Sequence, residues 1–420
     1  VSSFQAPTGT RDILPPESAR WSYLIGEFAS LASRAGYGLL ISPMFEDAGV
    51  FRRGVGEDSD VVMKQMYEFK DKGNRSLALR PEGTASVVRA FSQHHPQVPW
   101  KVWYATPAFR YERPQKGRYR QHHQLGAEAL GSPDPDLDVE IIALLDGFLR
   151  HLGLQKIELR VNSMGDDECL PSYKEALSSF LRLRAHELCE EHQTRFQVNP
   201  LRVLDCKKPE CLAVRNDAPR LADAWCEACS AHFARVLKGL DALNIQWRQD
   251  EYLVRGLDYY TRTTFEFSSH VLDAAQDAVG GGGRYNGLAA ALGAPDTPGI
   301  GFGSGIERIL AACDAEGVLG DVVCGPEVFV VDLTGGGFAL GLTSELRRAG
   351  IRADRGFDNR SAKAQLRQAD RSGARLAVIV GSSEAEKELV TLRELRGSEP
   401  HRQETFPRAA VVHHIREWLT

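Results

Sequence analysis

The sequence predicts a multidomain chain of mixed α/β and α+β class, and three observations carry that prediction. Residues 100–111 and 121–131 read as two short strands joined by a basic turn, the start of an antiparallel sheet. Between about 160 and 245 the composition shifts to helix formers, scattered charge and clustered cysteine, the signature of a mostly helical insertion. From residue 326 to 420, strand-like and helix-like runs alternate over about 95 residues, as in a separate α/β domain. The expected boundaries are therefore 1–325, interrupted by the insertion at 160–245, and 326–420.

The elements follow in order. Residues 18–35 place Trp21, Leu24, Ile25, Phe28, Leu31 and Ala32 at helical spacing after the helix-resistant pair Pro15-Pro16. "GYGLLISPMFE" then reads as a strand. In the hairpin, Arg110 and Glu112 share one parity, and Arg118, Arg120, Gln124, Gly126 and Glu128 continue it past the turn, opposite Leu125 and Ala127. One face is polar, which is usually a solvent face. After the insertion, "YLVRGLDYYTRTTFEFSS" is strand-rich, with Tyr260, Arg262, Thr264 and Glu266 on one predicted face. "VGGGGRYNGL" reads as a tight glycine loop, and "GIGFGSGIERILAAC" passes from glycine-rich backbone into a helix. The last block gives "EVFVVDL", "ALGLTSELRRAG", "IRADRG", "SAKAQLRQADRSG", "RLAVIVG" and "AAVVHHIREWL" in alternation.

Composition excludes some classes. With 420 residues, 43% hydrophobic and 25% charged, and no stretch near the roughly 18 apolar residues of a membrane span, no membrane partner is expected. No apolar core of signal-peptide length stands at the N-terminus, so a cytoplasmic protein is expected. The net charge is −5, and any nucleic acid must be held by local patches. Residues 326–420 carry +2, with Arg347, Arg348, Arg352 and Arg355 around the first predicted helix. Six of the eight cysteines lie between Cys169 and Cys229. Cys206, Cys211, Cys226 and Cys229 have a zinc-ribbon flavour, but the four-residue gap is loose for that pattern, so free thiols and no metal site are expected.

The basic turn "RYERPQKGRYR" sets five cations against one carboxylate. Arginine enrichment favours an anion, because a planar guanidinium clamps phosphate or carboxylate in a fixed fork. Arg255 beside Gly256 puts a fixed charge where a ligand can approach the backbone. The glycine runs match neither the dinucleotide fingerprint nor the P-loop.

These stretches together resemble the histidyl-tRNA synthetase family of class II aminoacyl-tRNA synthetases. "GYGLLISPMFE", "FRYERPQKGRYRQHHQ" and "GIGFGSGIERIL" look like class II motifs 1, 2 and 3, while "RGLDYYTRTTFEF" and "GGGGRYNGL" look like the two histidine-specific motifs. "LRPEGTA" resembles the amino-acid loop, and the last block is similar to the anticodon-binding domain. The resemblance implies a class II antiparallel-sheet catalytic domain with a helical insertion. It implies ligation of L-histidine to the histidine tRNA through an adenylate, with release of pyrophosphate and AMP.

By the same resemblance, Arg255 and Arg110 are catalytic, Arg255 between the histidine carboxylate and the α-phosphate and Arg110 on that phosphate. Glu128 and Tyr260 hold the imidazole, Glu82, Thr84 and Gln124 surround the α-amino group, and Tyr285 completes the pocket. Glu112, Arg118, Tyr119 and Arg308 join Arg110 on ATP, and Arg113, Lys116, Arg118 and Arg120 meet the tRNA acceptor end. Mg²⁺ is expected on the ATP phosphates, and motif 1 implies a homodimer. Two positions depart from the pattern: Asn286 where Asp is usual, and His122 where Phe is usual.

Two rivals share parts of the pattern. The synthetase-like regulatory subunit of ATP phosphoribosyltransferase generally lacks the anticodon-binding domain, and "RGLDYYT" with "GGGRY" speaks against a synthetase for proline, threonine or glycine.

Overall fold

The apolar stripe at the N-terminus folds as α1 (Glu17–Arg34), with Trp21, Leu24, Phe28 and Ala32 buried on one side. Phe28 meets Trp103, Phe148 and Phe302 edge to face, so one ring ties the helix to both hairpin and sheet. Truncating such a ring costs about 3–5 kcal/mol. The computed structural model describes every residue except 1–3, 57–58, 115–116, 273–276, 321, 323–324 and 397–400.

The chain divides into two compact units, residues 1–321 and 322–420. Among the described residues of the first unit, one sheet has eight strands: β1 (Gly38–Leu39), β2 (Trp100–Phe109), β3 (Gln121–Leu130), β4 (Ile157–Ser163), β5 (Trp247–Gln249), β6 (Thr261–Ser269), β7 (Ala278–Arg284) and β8 (Gly299–Gly305). Their order is β1-β2-β3-β8-β7-β6-β4-β5. All central pairings from β2 to β4 are antiparallel, and the outer pairs β1–β2 and β4–β5 are parallel. The predicted antiparallel sheet is present.

The hairpin runs in register from Trp100 opposite Leu130 to Phe109 opposite Gln121. Leu125, Ala127 and Ala129 face the core together with α1 and the helix Pro135–His151. The predicted motif 1 strand is broken into Gly38–Leu39 and Phe45–Asp47, because Pro43 between them has no N–H to give to a ladder. "VGGGG" is not a loop but strand β7. Its glycines carry no hydrophobic alternation, so the strand is invisible to periodicity.

The insertion is helical, as expected. Its long helices, Leu170–Leu183 and Glu227–Ala242, bracket short turns and a small core of Tyr173, Leu177, Leu181, Phe196, Val203, Leu204 and Val214. In the second unit, Val328–Asp332, Ala353–Arg355 and Leu376–Val380 pair in parallel, flanked by helices Gly337–Arg348 and Ala362–Arg371. Two further antiparallel strands, Leu389–Glu394 and Gln403–Pro407, close the sheet. The sequence reading missed both strands, since charge masks their alternation.

Candidate active site

A cavity of about 500 Å³ opens over strands β3, β7 and β8, lined by Glu82, Thr84, Arg110, Gln124, Arg255, Tyr260 and Arg308, with Glu112, Arg118 and Tyr119 at its edge. The glycines of β7 and β8 explain why side chains from elsewhere can stand there. A Cβ on Gly281 would lie 2.7 Å from the Phe265 carbonyl and 2.9 Å from both terminal nitrogens of Arg255; one on Gly283 would lie 2.8 Å from the Tyr260 ring. A Cβ on Gly301 would fall on the Glu128 carboxylate.

Glu128 is fully buried beneath this floor. Its Oε1 accepts from Thr84 Oγ1 at 2.7 Å and Tyr104 Oη at 3.1 Å, and its Oε2 from Tyr285 Oη at 2.6 Å. Burial and the nearby Glu82 carboxylate push its pKa up to about 8, against the pull of the three hydroxyls. The polar hairpin face is therefore not a solvent face. Glu82 caps the helix Thr84–His94, accepting from the N–H groups of Thr84 at 2.6 Å and Ala85 at 2.8 Å, and burial raises its pKa as well. Gln124 Oε1 accepts from Gly83 N–H at 3.0 Å.

The opposite end is cationic. Arg110 Nε donates to the Pro81 carbonyl at 2.9 Å and Arg308 Nη1 to the Ala278 carbonyl at 2.9 Å. Among the described residues neither has a carboxylate within ion-pair distance. Burial and the positive charges of Arg118 and Arg110 hold the Arg308 pKa below its usual value. His122, also in the lining, is lowered to about 3 by burial and by Arg110 and Arg308, so it is a neutral ring.

Arg255 also lines the cavity. Its Nη1 donates to Glu266, which Arg160 also grips, and its buried Nε has no hydrogen-bond partner. Burial opposes its charge, but Glu266 and the Tyr260 environment keep its pKa raised.

Other expected residues fall elsewhere. Glu128 and Tyr285 lie under the cavity, not in its lining. Arg118 sits 3.7 Å from Glu112. Arg120 is spent on Tyr111, 4.1 Å from guanidinium to ring, and on the Glu112 carbonyl. Arg113 is exposed, and Lys116 lies outside the described residues. Arg262 leaves the predicted face: its φ of +50° breaks the alternation, and its Nη2 meets Asp166 at 3.1 Å. Arg284 of the glycine motif is fully buried on Asp138, which also accepts from His232 at 2.7 Å and Thr263 at 2.6 Å. That arginine is structural. Asn286 faces a neighbouring cavity shared with Arg262.

Sequence reasoning missed Tyr104, Glu266 and Arg202. Tyr104 was within reach, since it pairs with Gly126 and shares the even parity of the polar face. Arg202, which lines the cavity and bonds Asp258 at 3.0 Å, comes from the insertion, where no local signal pointed inward. The four zinc-ribbon cysteines do not assemble as one set: Cys206 and Cys211 join Cys189 and His192, while Cys226 and Cys229 join Asp166 and Cys169.

Comparison with known proteins extends this picture. The family profile described as histidyl-tRNA synthetase matches residues 9–309, and one described as an anticodon binding domain matches residues 327–418. A histidine–tRNA ligase of Moorella thermoacetica is 48% identical over 98% of this chain and 97% of its own. That of Rhodococcus erythropolis is 46% identical over 98% and 97%. The crystal structure of apo histidyl-tRNA synthetase from S. aureus aligns with a TM-score of 0.81 at 35% identity, over 98% of this chain and 100% of that one. A Bacillus halodurans structure described as an ATP phosphoribosyltransferase regulatory subunit/histidyl-tRNA synthetase aligns with a TM-score of 0.66 at 18% identity, covering 91% of this chain and 99% of that one, a likeness of fold alone.

Proposed function

The chain belongs to the histidyl-tRNA synthetase family and joins histidine to tRNA with consumption of ATP, and from that premise we propose how its cavity divides the work. The observation that carries the proposal is the polarity of the cavity. The hydroxyl-ringed carboxylate of Glu128 lies beneath its floor, while Arg110 and Arg308 line it with no carboxylate at ion-pair distance among the described residues.

Histidine lies with its imidazole toward Glu128. A carboxylate offers about four lone-pair sites, and Thr84, Tyr104 and Tyr285 use three, so one remains for an imidazole N–H. Tyr260, whose hydroxyl burial keeps protonated, donates to the other ring nitrogen. Glu82, Thr84 and Gln124 receive the α-ammonium. Arg255, in the cavity lining, serves the histidine carboxylate and the ATP α-phosphate, where charge repulsion opposes reaction. Arg110 takes the α-phosphate and Arg308 the γ-phosphate side, with Glu112, Arg118 and Tyr119 along the nucleotide.

The carboxylate oxygen attacks the α-phosphorus and the bond to pyrophosphate breaks. A terminal ribose hydroxyl of tRNA then attacks the adenylate carbonyl and AMP leaves. Positioning and charge stabilisation supply most of the rate. Arg113, Lys116, Arg118 and Arg120 serve the acceptor end, with Arg120 first released from Tyr111. Mg²⁺ would neutralise the phosphates. Glu307, in the cavity wall and bonded to the His123 N–H at 3.1 Å, supplies the oxygen donor such a hard cation needs.

A cytoplasmic homodimer completes the proposal. Leu39, Ile41, Met44 and Phe45 are all more than half exposed on the motif 1 segment, an apolar strip suited to a second copy. The described cysteines form no disulfide, which suits a reducing compartment. ATP–pyrophosphate exchange measured with each amino acid in turn tests the reading. Exchange with histidine alone supports it, and exchange with proline, threonine or glycine, or with none, overturns it.

A further inference from the structure

We propose that the insertion carries two structural zinc sites, one held by Cys189, His192, Cys206 and Cys211 and the other by Asp166, Cys169, Cys226 and Cys229. In each group the four ligand atoms lie within 4.8 Å of one another. Two thiolates on a tetrahedral zinc at about 2.3 Å stand about 3.8 Å apart. Cys169 Sγ and Cys229 Sγ are 3.8 Å apart. In the first group His192 Nδ1 lies 3.1 Å from Cys189 Sγ and 3.7 Å from Cys211 Sγ. In the second, Asp166 Oδ1 lies 3.6 Å from Cys169 Sγ and 3.8 Å from Cys226 Sγ. Sulfurs at that distance are not bonded, since a disulfide needs about 2.05 Å.

Each group is built from two closely spaced pairs, as zinc knuckles are. Cys189-x2-His192 meets Cys206-x4-Cys211, and Asp166-x2-Cys169 meets Cys226-x2-Cys229. The loose four-residue gap is thus one half of one site, and the missing half lies upstream. Outer groups are also in place. The Cys189 N–H points at Cys211 Sγ at 3.5 Å and the Asp166 N–H at Cys169 Sγ at 3.3 Å. Arg262 holds Asp166 Oδ2 at 3.1 Å, which leaves Oδ1 for the ion and offsets one charge of a three-thiolate, one-carboxylate set.

Both sites close the insertion on itself. The first closes the segment that carries Arg202 into the cavity. The second joins the chain just past β4 to the start of the helix Glu227–Ala242, beside the Arg262 backbone that follows Tyr260. An insertion with so small a core gains folding energy from such ions.

The test is elemental analysis of the full-length protein purified without chelator and loaded with Zn²⁺ before dialysis. Two zinc per chain are expected, with Cys211→Ser and Cys229→Ser each losing one and keeping the other. On the unaltered protein, an organomercurial titration should release both ions in step with thiol modification, a readout that needs no variant to fold. Less than one zinc per chain, or fewer than eight thiols in denaturant without reductant, overturns the proposal. A single ion lost from only one of the two variants overturns the two-site assignment.

Discussion

Glu128 holds its proton with a pKa of about 8, well above the roughly 4.3 of an unfolded glutamate. The folded protein therefore binds the extra proton between those values. The stability from this group is complete below the unfolded pKa and is lost as pH rises through about 8. In the proposed pose histidine needs the carboxylate form to accept its imidazole N–H, so binding would expel that proton at neutral pH. Histidine affinity should then rise with pH toward 8 and level off above it. Calorimetry in buffers of different ionisation heat should register proton release near pH 7. Glu128→Gln should weaken histidine binding by about 10- to 100-fold, the range of a hydrogen bond to a charged group, and flatten the pH dependence. A pH profile unchanged in that variant would assign the proton elsewhere. Ring neutrality at His122 follows from its burial and from the two arginines around it, which is why a histidine can stand where the family pattern has phenylalanine.

At the scale of elements, the sheet works through what its central strands lack. An added Cβ at Gly281 meets the Phe265 carbonyl and the Arg255 guanidinium, so Gly281→Ala must displace one of them. The expected outcome is a loss of about 1–3 kcal/mol in stability from crowding and about 10²-fold in adenylation from the shifted arginine. Gly26→Ala in α1, where a Cβ meets nothing within 4 Å, should be neutral or stabilising by up to about 1 kcal/mol. Chemical denaturation and single-turnover adenylation on both variants check this. Legibility also divides by element. The hairpin was readable because Leu125 and Ala127 alternate with the polar or small Gln124, Gly126 and Glu128, and its even parity already collected Arg110 as well. Strand β7 was not readable, because four glycines in a row have no periodicity and look like a turn. The face of β6 was misjudged at Arg262, since a left-handed residue reverses parity without any sign in the sequence. The cysteine groups were missed because each draws ligands from separate turns, and only folding brings Asp166 and His192 to them.

By the proposed function, the whole molecule separates chemistry from tRNA selection along the chain. All residues proposed for adenylation lie in the unit 1–321, while residues 322–420 have their own core of Val328, Val330, Leu342, Leu346, Val378 and Ile415. Arg347, Arg348 and Arg352 stand exposed on that second unit. Deleting residues 326–420 should therefore spare histidine-dependent pyrophosphate exchange far more than tRNA charging. Equal loss of both in a folded truncation would contradict a separate tRNA role. Light scattering across a dilution series should return twice the 46.4 kDa chain mass at micromolar concentration, and a constant single-chain mass would remove the dimer.

The proposed chemistry leans most on Arg255, and the single-turnover rate of histidine adenylation in Arg255→Ala tests that role. Carboxylate and α-phosphate must approach to about 3.5 Å in a partly dry cavity, where their repulsion opposes attack. Glu266 orients the guanidinium through Nη1, and Arg255 lines the cavity proposed for these anions. Losing one such preorganised donor should lower the rate by about 10²- to 10³-fold, while histidine and ATP affinities change much less. A side chain present only to pair with Glu266 would instead lower stability and leave the chemistry intact. A folded Arg255→Ala protein that forms adenylate within about tenfold of the unaltered rate would contradict the account.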